Sequence, residues 1–355
     1  MDRTTVEVYE ERAEQWRDTR PARLLERAQA LGASIPAGVP RLDAGCGAGL
    51  HLPALGRPVI ALDAAFAMTT LAREAEPAAL PVQADLEHLP FRTGSIGGSW
   101  ARASYLHVPR ARLPWALMEL HTVLAVGAPA ELTYRFGPNR DVVIEDDDEF
   151  PNRFFAEWEP DALADVHVGA GFEVHECEHD GGEWVFVRAT RARSLPDYVD
   201  DQMRLLVCGL NPSEYAADAG VGFARPGNRF WPAALAAGLV SRDRDPRHAL
   251  TVHHVGMTDL VKRATPRADD LRADEYRAGV GRVERLVRWL RPGAVCFVGL
   301  AGYRAAVDRR AQPGPVREGF AGVPAYVMPN PSGANAHARA DDIAAHLRAA
   351  AALAG

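Results

Sequence analysis

The sequence predicts two α/β domains built on parallel β-sheets, and three observations lead there. At 355 residues the chain is longer than one ordinary domain. On either side of residue 190, short apolar runs alternate with helix-patterned stretches, as strands joined by crossover helices do. Between the halves, ArgAlaArgSerLeuProAspTyr (191–198) is polar and broken by proline, as a linker is. Domains are expected over 1–190 and 203–355, with a linker at 191–202.

The composition, 47% hydrophobic and 25% charged, is enough to fill two packed cores. No apolar run reaches the length of a membrane span, and the first thirty residues are charged and helix-patterned, unlike a secretory signal. A cytoplasmic monomer with no membrane association is expected. The four cysteines (Cys46, Cys177, Cys208, Cys296) form no CxxC pair and have no histidine at ligand spacing, so neither disulfides nor a metal site is expected. Charge divides unevenly: residues 1–200 hold 19 arginines against 32 acids, a net −13, whereas residues 201–355 hold 21 basic residues against 15 acids, a net +6. A basic half suggests a nucleic-acid partner only when a motif stands beside it.

In the first half, ProArgLeuAspAlaGlyCysGlyAlaGly (40–49) reads as a strand end followed by glycines at 45, 47 and 49. Without Cβ atoms, such a turn lets the backbone approach a ligand closely. The run 58–63 then ends in Asp63, a carboxylate suited to ribose hydroxyls, and 80–86 carries Asp85, suited to an adenine edge or amine. The run Glu183–Thr190 reads as the last strand.

These residues resemble the class I S-adenosylmethionine-dependent methyltransferases over about 1–190. LeuAspAlaGlyCysGlyAlaGly (42–49) looks like their motif I, with Asp43, Gly45, Gly47 and Gly49 as cofactor-binding residues; Asp63 looks like the ribose acid, and Asp85 with Leu86 like the adenine-side motif. Residues 9–16 resemble the family's opening helix, and 155–163 with 171–174 its late helix–strand pair. The resemblance implies a Rossmann-like sheet and S-adenosylmethionine as cofactor. The acceptor stretch, 99–110, has neither the Pro-Pro-aromatic element of exocyclic-amine methyltransferases nor the Pro-Cys of cytosine C5 enzymes. His107 within it could act as a general base, but a lone histidine there reads first as structural.

In the second half, three segments fall at expected strand ends. The run 205–210 leads into AsnProSer (211–213); next comes GlyPheAlaArgProGlyAsnArgPheTrp (222–231); and 325–328 leads into ProAsnProSerGlyAlaAsnAlaHis (329–337). A strand at 294–299 is expected between the first and last of these as core. Ligands bind at the carboxyl ends of strands in open α/β sheets, so the three segments can converge on one pocket. Phe230 and Trp231 read as core, Phe223 as a stacking residue, and the arginines of 272–291 as a solvated helix face.

This half resembles the mismatch-specific thymine/uracil DNA glycosylases of the uracil-DNA glycosylase superfamily over about 203–350. GlyLeuAsnProSer (209–213), ArgProGlyAsnArgPheTrp (225–231) and AsnProSerGly (330–333) carry it. The resemblance implies a three-layer α/β/α domain with a parallel central sheet, acting on DNA with uracil or a mismatched pyrimidine, without a cofactor. A base inside a duplex must be flipped out before its glycosidic bond can be cut. Asn211 is then the catalytic residue, with Pro212, Phe223 and Asn228 around the base and Asn330, Ser332, Gly333, Asn335 and His337 on the DNA-binding loop. Ala334 is a poor wedge for the gap left by the base. A neutral amide cannot take a proton near neutral pH, so Asn211 can only hold and orient a water. The rate must come largely from stabilising the departing pyrimidine anion, and good leaving groups should react fastest.

The chain reads as a methyltransferase fused to a monofunctional DNA glycosylase. Other readings stay open: a methyltransferase for RNA or a small molecule whose second half binds nucleic acid, a first half that senses the cofactor without methyl transfer, or excision of a modified base.

Overall fold

The computed structural model describes residues 1–145, 149–332 and 339–355. The chain divides into two compact units, Met1–Ala192 and Arg193–Gly355.

In the first unit, α1 (Arg3–Glu11), α2 (Ala13–Thr19) and α3 (Leu25–Ser34) precede β1 (Arg41–Ala44). There follow α4 (Leu52–Leu55), β2 (Val59–Asp63), α5 (Phe66–Ala75), β3 (Leu80–Gln83), β4 (Gly98–Arg102) and α6 (Leu113–Val123). The unit is completed by β5 (Pro129–Phe136), β6 (Asp141–Ile144), β7 (Arg153–Trp158), α7 (Pro160–Gly169), β8 (Phe172–His179) and β9 (Trp184–Arg191). Strands β3-β2-β1-β4-β5 are parallel, β9 runs antiparallel on β5, and β8 antiparallel on β9. β1 is buried along its whole length and lies between β2 and β4, as expected of a parallel strand covered on both faces. The strand order reverses beside it, which makes the end of β1 the switch point where such sheets bind ligands. Residues 155–158 belong to β7 rather than to a late helix, which starts only at Pro160, where proline suits the first helical turn.

In the second unit the elements are β10 (Leu205–Gly209), α8 (Glu214–Ala219), α9 (Phe230–Ala236), α10 (Pro246–His253), β11 (Val255–Asp259) and α11 (Ala273–Leu290). β12 (Ala294–Val298), α12 (Leu300–Ala306), β13 (Gly314–Phe320), β14 (Val323–Met328) and α13 (Ala340–Ala352) complete it. The order is β11-β10-β12-β14-β13, parallel except for β13 at the edge. The expected strands at 205–210, 294–299 and 325–328 are β10, β12 and β14, with β12 between the other two. α13 packs on β12, β14 and α9, while α12 packs on β12, β14 and α11. Phe230 and Trp231 are fully buried at the start of α9, each such side chain contributing about 1.5–3 kcal/mol or more of burial.

The stretch 191–202 is not an open tether. Ser194, Leu195, Asp197 and Val199 are buried, and Tyr198 bridges the outer edge of β11, exchanging both backbone hydrogen bonds with Met257 at 2.9 and 2.8 Å. Nor are all the arginines of 272–291 solvated: Arg282 turns inward from α11. Both departures share one cause. Asp197 Oδ1 accepts from Lys262 Nζ at 2.8 Å and from Thr258 Oγ1 at 2.6 Å, and its Oδ2 from Arg282 at 2.7 Å. A polar segment stays buried because its carboxylate meets two cations and a hydroxyl there.

Candidate active sites of the two units

In the first unit the glycine turn follows β1 directly. Gly45 has φ +79°, and a Cβ there would lie 2.2 Å from the Ser104 Cβ; a Cβ on Gly47 would meet the Trp16 ring of α2 at 3.1 Å. Only glycine brings the turn this close to its neighbours. Asp63, ending β2, accepts from the Gly47 amide at 2.9 Å and the Ala65 amide at 3.0 Å. Burial raises its carboxyl to about 6 despite these bonds. Asp43 is almost wholly buried, its Oδ2 has no hydrogen-bond partner among the described residues, and burial together with the Asp63 charge pushes it up to about 8. A buried acceptor without a donor beside a side-chain-free turn suits a polar ligand carrying donors.

The remaining expected cofactor residues are placed differently. Asp85 is engaged by the Met1 amine at 3.0 Å and by the Glu87 amide at 2.9 Å, and the Leu86 side chain is buried. His107 is also fully engaged: Nδ1 pairs with the Phe154 carbonyl at 2.7 Å and Nε2 with Tyr9 Oη at 2.9 Å, which in turn accepts from Arg153 at 2.8 Å. With both ring nitrogens committed to the fold, His107 works as a structural tie.

In the second unit the buried strand β10 ends at Gly209, and Asn211–Pro212 follows one residue later, where proline has no N–H with which to extend the ladder. Asn211 Nδ2 donates to Thr265 Oγ1 at 2.7 Å and to the carbonyls of Arg263 and Pro212 at 3.1 Å each. Thr265 gives its own hydroxyl proton to the Arg267 carbonyl at 2.7 Å, so toward Asn211 it can only accept. These acceptors fix which way the amide faces. Its nitrogen is turned inward, and Oδ1 receives no hydrogen bond from the described residues.

Phe223 holds a left-handed backbone, φ +58°, that a bulky side chain adopts only under constraint. Its ring stacks on Phe230, with centroids 4.3 Å apart and planes at 25°. Asn228 Oδ1 accepts from the Phe230 amide at 2.9 Å, which leaves the amide nitrogen of Asn228 for other partners. The Arg229 amide donates to the Pro331 carbonyl at 2.9 Å, and its guanidinium to the Ser332 carbonyl at 3.3 Å. The segment 223–230 therefore ties the end of β10 to the loop after β14. In that loop the Ser332 amide donates to Asn330 Oδ1 at 3.0 Å, so it is spent within the loop. Gly333, Asn335 and His337, together with Ala334, lie outside the described residues.

Two residues that the sequence reading missed stand at this site. Thr265 is one. The other is Asp259, the last residue of β11, paired in register with Gly209. A Cβ on Gly209 would lie 2.2 Å from Asp259 Oδ1 and 3.5 Å from Phe223 Cζ, so the carboxylate, the ring and the strand end share one spot. Burial raises this carboxyl to about 6, with Lys262 and Arg282 opposing the rise. Arg282 also grips the Asp259 carbonyl at 2.7 Å, which fixes the end of β11 from beneath. The available signal was a short run ending in an acid, the same form as 59–63.

The family model of the uracil DNA glycosylase superfamily matches residues 196–354, and that of a methyltransferase domain matches residues 42–129. Among solved structures, the 1,6-didemethyltoxoflavin-N1-methyltransferase of Burkholderia thailandensis is 19% identical, with 53% of this chain and 85% of that chain covered at a TM-score of 0.41. An S-adenosylmethionine-dependent methyltransferase of Aquifex aeolicus is 17% identical, covering 54% of this chain and 100% of that one at 0.40. Another, from Methanosarcina mazei, is 20% identical, covering 43% and 92% at 0.37. The chain thus joins a methyltransferase domain to a domain of the uracil-DNA glycosylase superfamily.

Proposed function

We propose that the second unit excises uracil, or a related pyrimidine, from mismatched DNA by hydrolysis, and that the first unit binds S-adenosylmethionine and transfers its methyl group. The observation that carries the glycosylase reading is the locked amide of Asn211. Its nitrogen is held by Thr265 and the Arg263 carbonyl, so Oδ1 is the atom left without a partner among the described residues. A water donating one hydrogen to Oδ1 keeps a lone pair aimed at the sugar carbon, with no group taking its proton at the start. The glycosidic bond breaks first in such a scheme: the base leaves with the electron pair, and the water adds to the cationic sugar and then loses a proton. Phe223, backed by Phe230, offers a flat face to a flipped base. Asp259 beside it accepts from an N–H on the base edge when ionised, and donates when protonated, below about pH 6.

For the first unit, the group implied is S-adenosylmethionine, and the residues fit it. Asp63 has lone pairs left for ribose hydroxyls, and Asp43 Oδ2, without a partner among the described residues, leaves a hydrogen-bonding position for the ligand. When bound, the cofactor supplies an electrophilic methyl group. The chain supplies the close backbone approach at Gly45, Gly47 and Gly49, with Trp16 over the turn.

The test is uracil release from a duplex with one G·U pair, read as alkali-sensitive strand cleavage between pH 5 and 9. Release is expected, and Asp259→Asn should flatten the change in rate near pH 6. No release from G·U, from other mismatches or from single strands would refute the excision reading.

A further inference from the structure

The stretch 260–265 leaves β11 and forms neither helix nor strand. It runs alongside the end of β10: Leu260, Val261 and Thr265 donate their amides to the carbonyls of Gly209, Leu210 and Pro212 at 3.0, 2.9 and 3.2 Å. Two of its acceptors, the Arg263 carbonyl and Thr265 Oγ1, hold the Asn211 amide nitrogen. The orientation of Asn211 is therefore only as exact as the position of this stretch. An irregular segment keeps its place only as well as its contacts define it.

Further contacts come from the residues that open the second unit. Ser194 Oγ, almost wholly buried, donates to the Lys262 carbonyl, and Asp197 Oδ1 accepts from Lys262 Nζ at 2.8 Å. Lys262 is thus gripped at both its backbone and its side chain, and the next carbonyl along, that of Arg263, is the one Asn211 uses. The two grips differ in kind. Asp197 neutralises buried cations, which is a matter of stability. Ser194 has no charge to neutralise and little apolar area to bury, so its hydroxyl mainly fixes where one carbonyl sits. The same segment also reaches the loop of the stacking residue: Leu195 is buried, and a Cβ on Gly222, which precedes Phe223, would lie 3.8 Å from Leu195 Cδ1.

We propose that Ser194 is a positioning residue of the glycosylase site. By holding the Lys262 carbonyl it sets the adjacent Arg263 carbonyl and Thr265, and through them the face that Asn211 turns to the water. Supporting groups of this kind matter because a misplacement of about 1 Å at a reacting group costs on the order of a hundredfold in rate. The proposal rests on the excision reading of Asn211. It makes the segment that reads as a tether a working part of the site.

Single-turnover release of 5-fluorouracil opposite guanine is compared in the full-length wild type, Ser194→Ala, Asn211→Ala and the double variant. Ser194→Ala lowers the rate at saturating enzyme about tenfold and leaves the duplex dissociation constant unchanged. Once Asn211 is alanine, the same substitution has little further effect, because the group it positions is gone. Equal losses in both backgrounds, or no loss in either, would overturn the proposal. A second readout needs no activity. In nitrogen-15 NMR spectra of the full chain, the Asn211 side-chain amide is identified by its disappearance in Asn211→Ala. Its protons exchange with water about fivefold faster or more in Ser194→Ala, while the backbone amides of β10 keep their wild-type rates. Unchanged exchange in the variant counts against Ser194, as does wild-type exchange as fast as that of an open asparagine. A wild type that releases no base from any duplex contradicts the excision reading instead, and the exchange measurement then decides the role of Ser194 alone.

Discussion

Replacing Asn211 with alanine lowers uracil release from a G·U duplex by about a hundredfold or more, with little change in duplex binding. The side chain has one free function, to hold a water through Oδ1, and that interaction matters as the sugar becomes cationic rather than when DNA first binds. The loss therefore falls on kcat and not on KM. Thr265→Val gives a smaller loss of the same kind. Valine keeps the shape of threonine but cannot accept from Nδ2, so the amide loses its shortest anchor and is held in orientation only by the Arg263 and Pro212 carbonyls at 3.1 Å. Thr265→Ser keeps the acceptor and should retain most of the rate. Single-turnover excision with a parallel binding titration checks all three, and an unchanged rate in Asn211→Ala would remove the residue from the mechanism.

Asp197→Ala destabilises the second unit by about 3–5 kcal/mol, because it leaves Lys262 and Arg282 buried without their counter-ion. At roughly 2–4 °C per kcal/mol for a domain of this size, the unfolding transition of that unit moves down by on the order of 10 °C. Scanning calorimetry of the full chain, compared between wild type and variant, reads this shift; a change below about 1 °C in every transition would contradict the role given to the cluster. Excision should weaken too, since Arg282 holds the end of β11. The pH dependence has a definite sign. Burial raises the Asp197 carboxyl, but Arg282, Lys262 and the hydrogen bonds outweigh it and hold the pKa below 3.8. Its contribution to stability is therefore full above that ordinary value and disappears as the pH falls through the depressed one.

The parts legible in the sequence are those where one residue type at fixed spacing does the work. Gly45, Gly47 and Gly49 are needed because no side chain fits, and Asp63 reads clearly as an acid closing an apolar run. Asn211–Pro212 follows directly on the apolar run of β10, and its proline, lacking an N–H, marks the turn in the sequence itself. Asp259 ends a strand in the same way, yet His253 and His254 before it and Thr258 within it break the apolar pattern, and β11 went unread. Thr265 and Arg282 carry no local signal at all. Thr265 acquires its role from a residue 54 positions away, and Arg282 from one 85 positions away. The stretch 191–202 misled for a related reason: a proline and several charges read as a tether until Asp197 is seen to have partners brought to it by β11 and α11.

With a neutral amide at position 211, hydrolysis is driven by departure of the base rather than by a strong nucleophile. Single-turnover release of 5-fluorouracil and of uracil, each opposite guanine at saturating enzyme, measures this directly. Fluorine makes the departing pyrimidine a better anion, so 5-fluorouracil should leave about tenfold faster or more, and the ratio should persist in Thr265→Ser. Equal rates for the two bases, or faster release of uracil, would mean that bond cleavage is not led by the leaving group and would contradict the role assigned to a neutral amide at position 211.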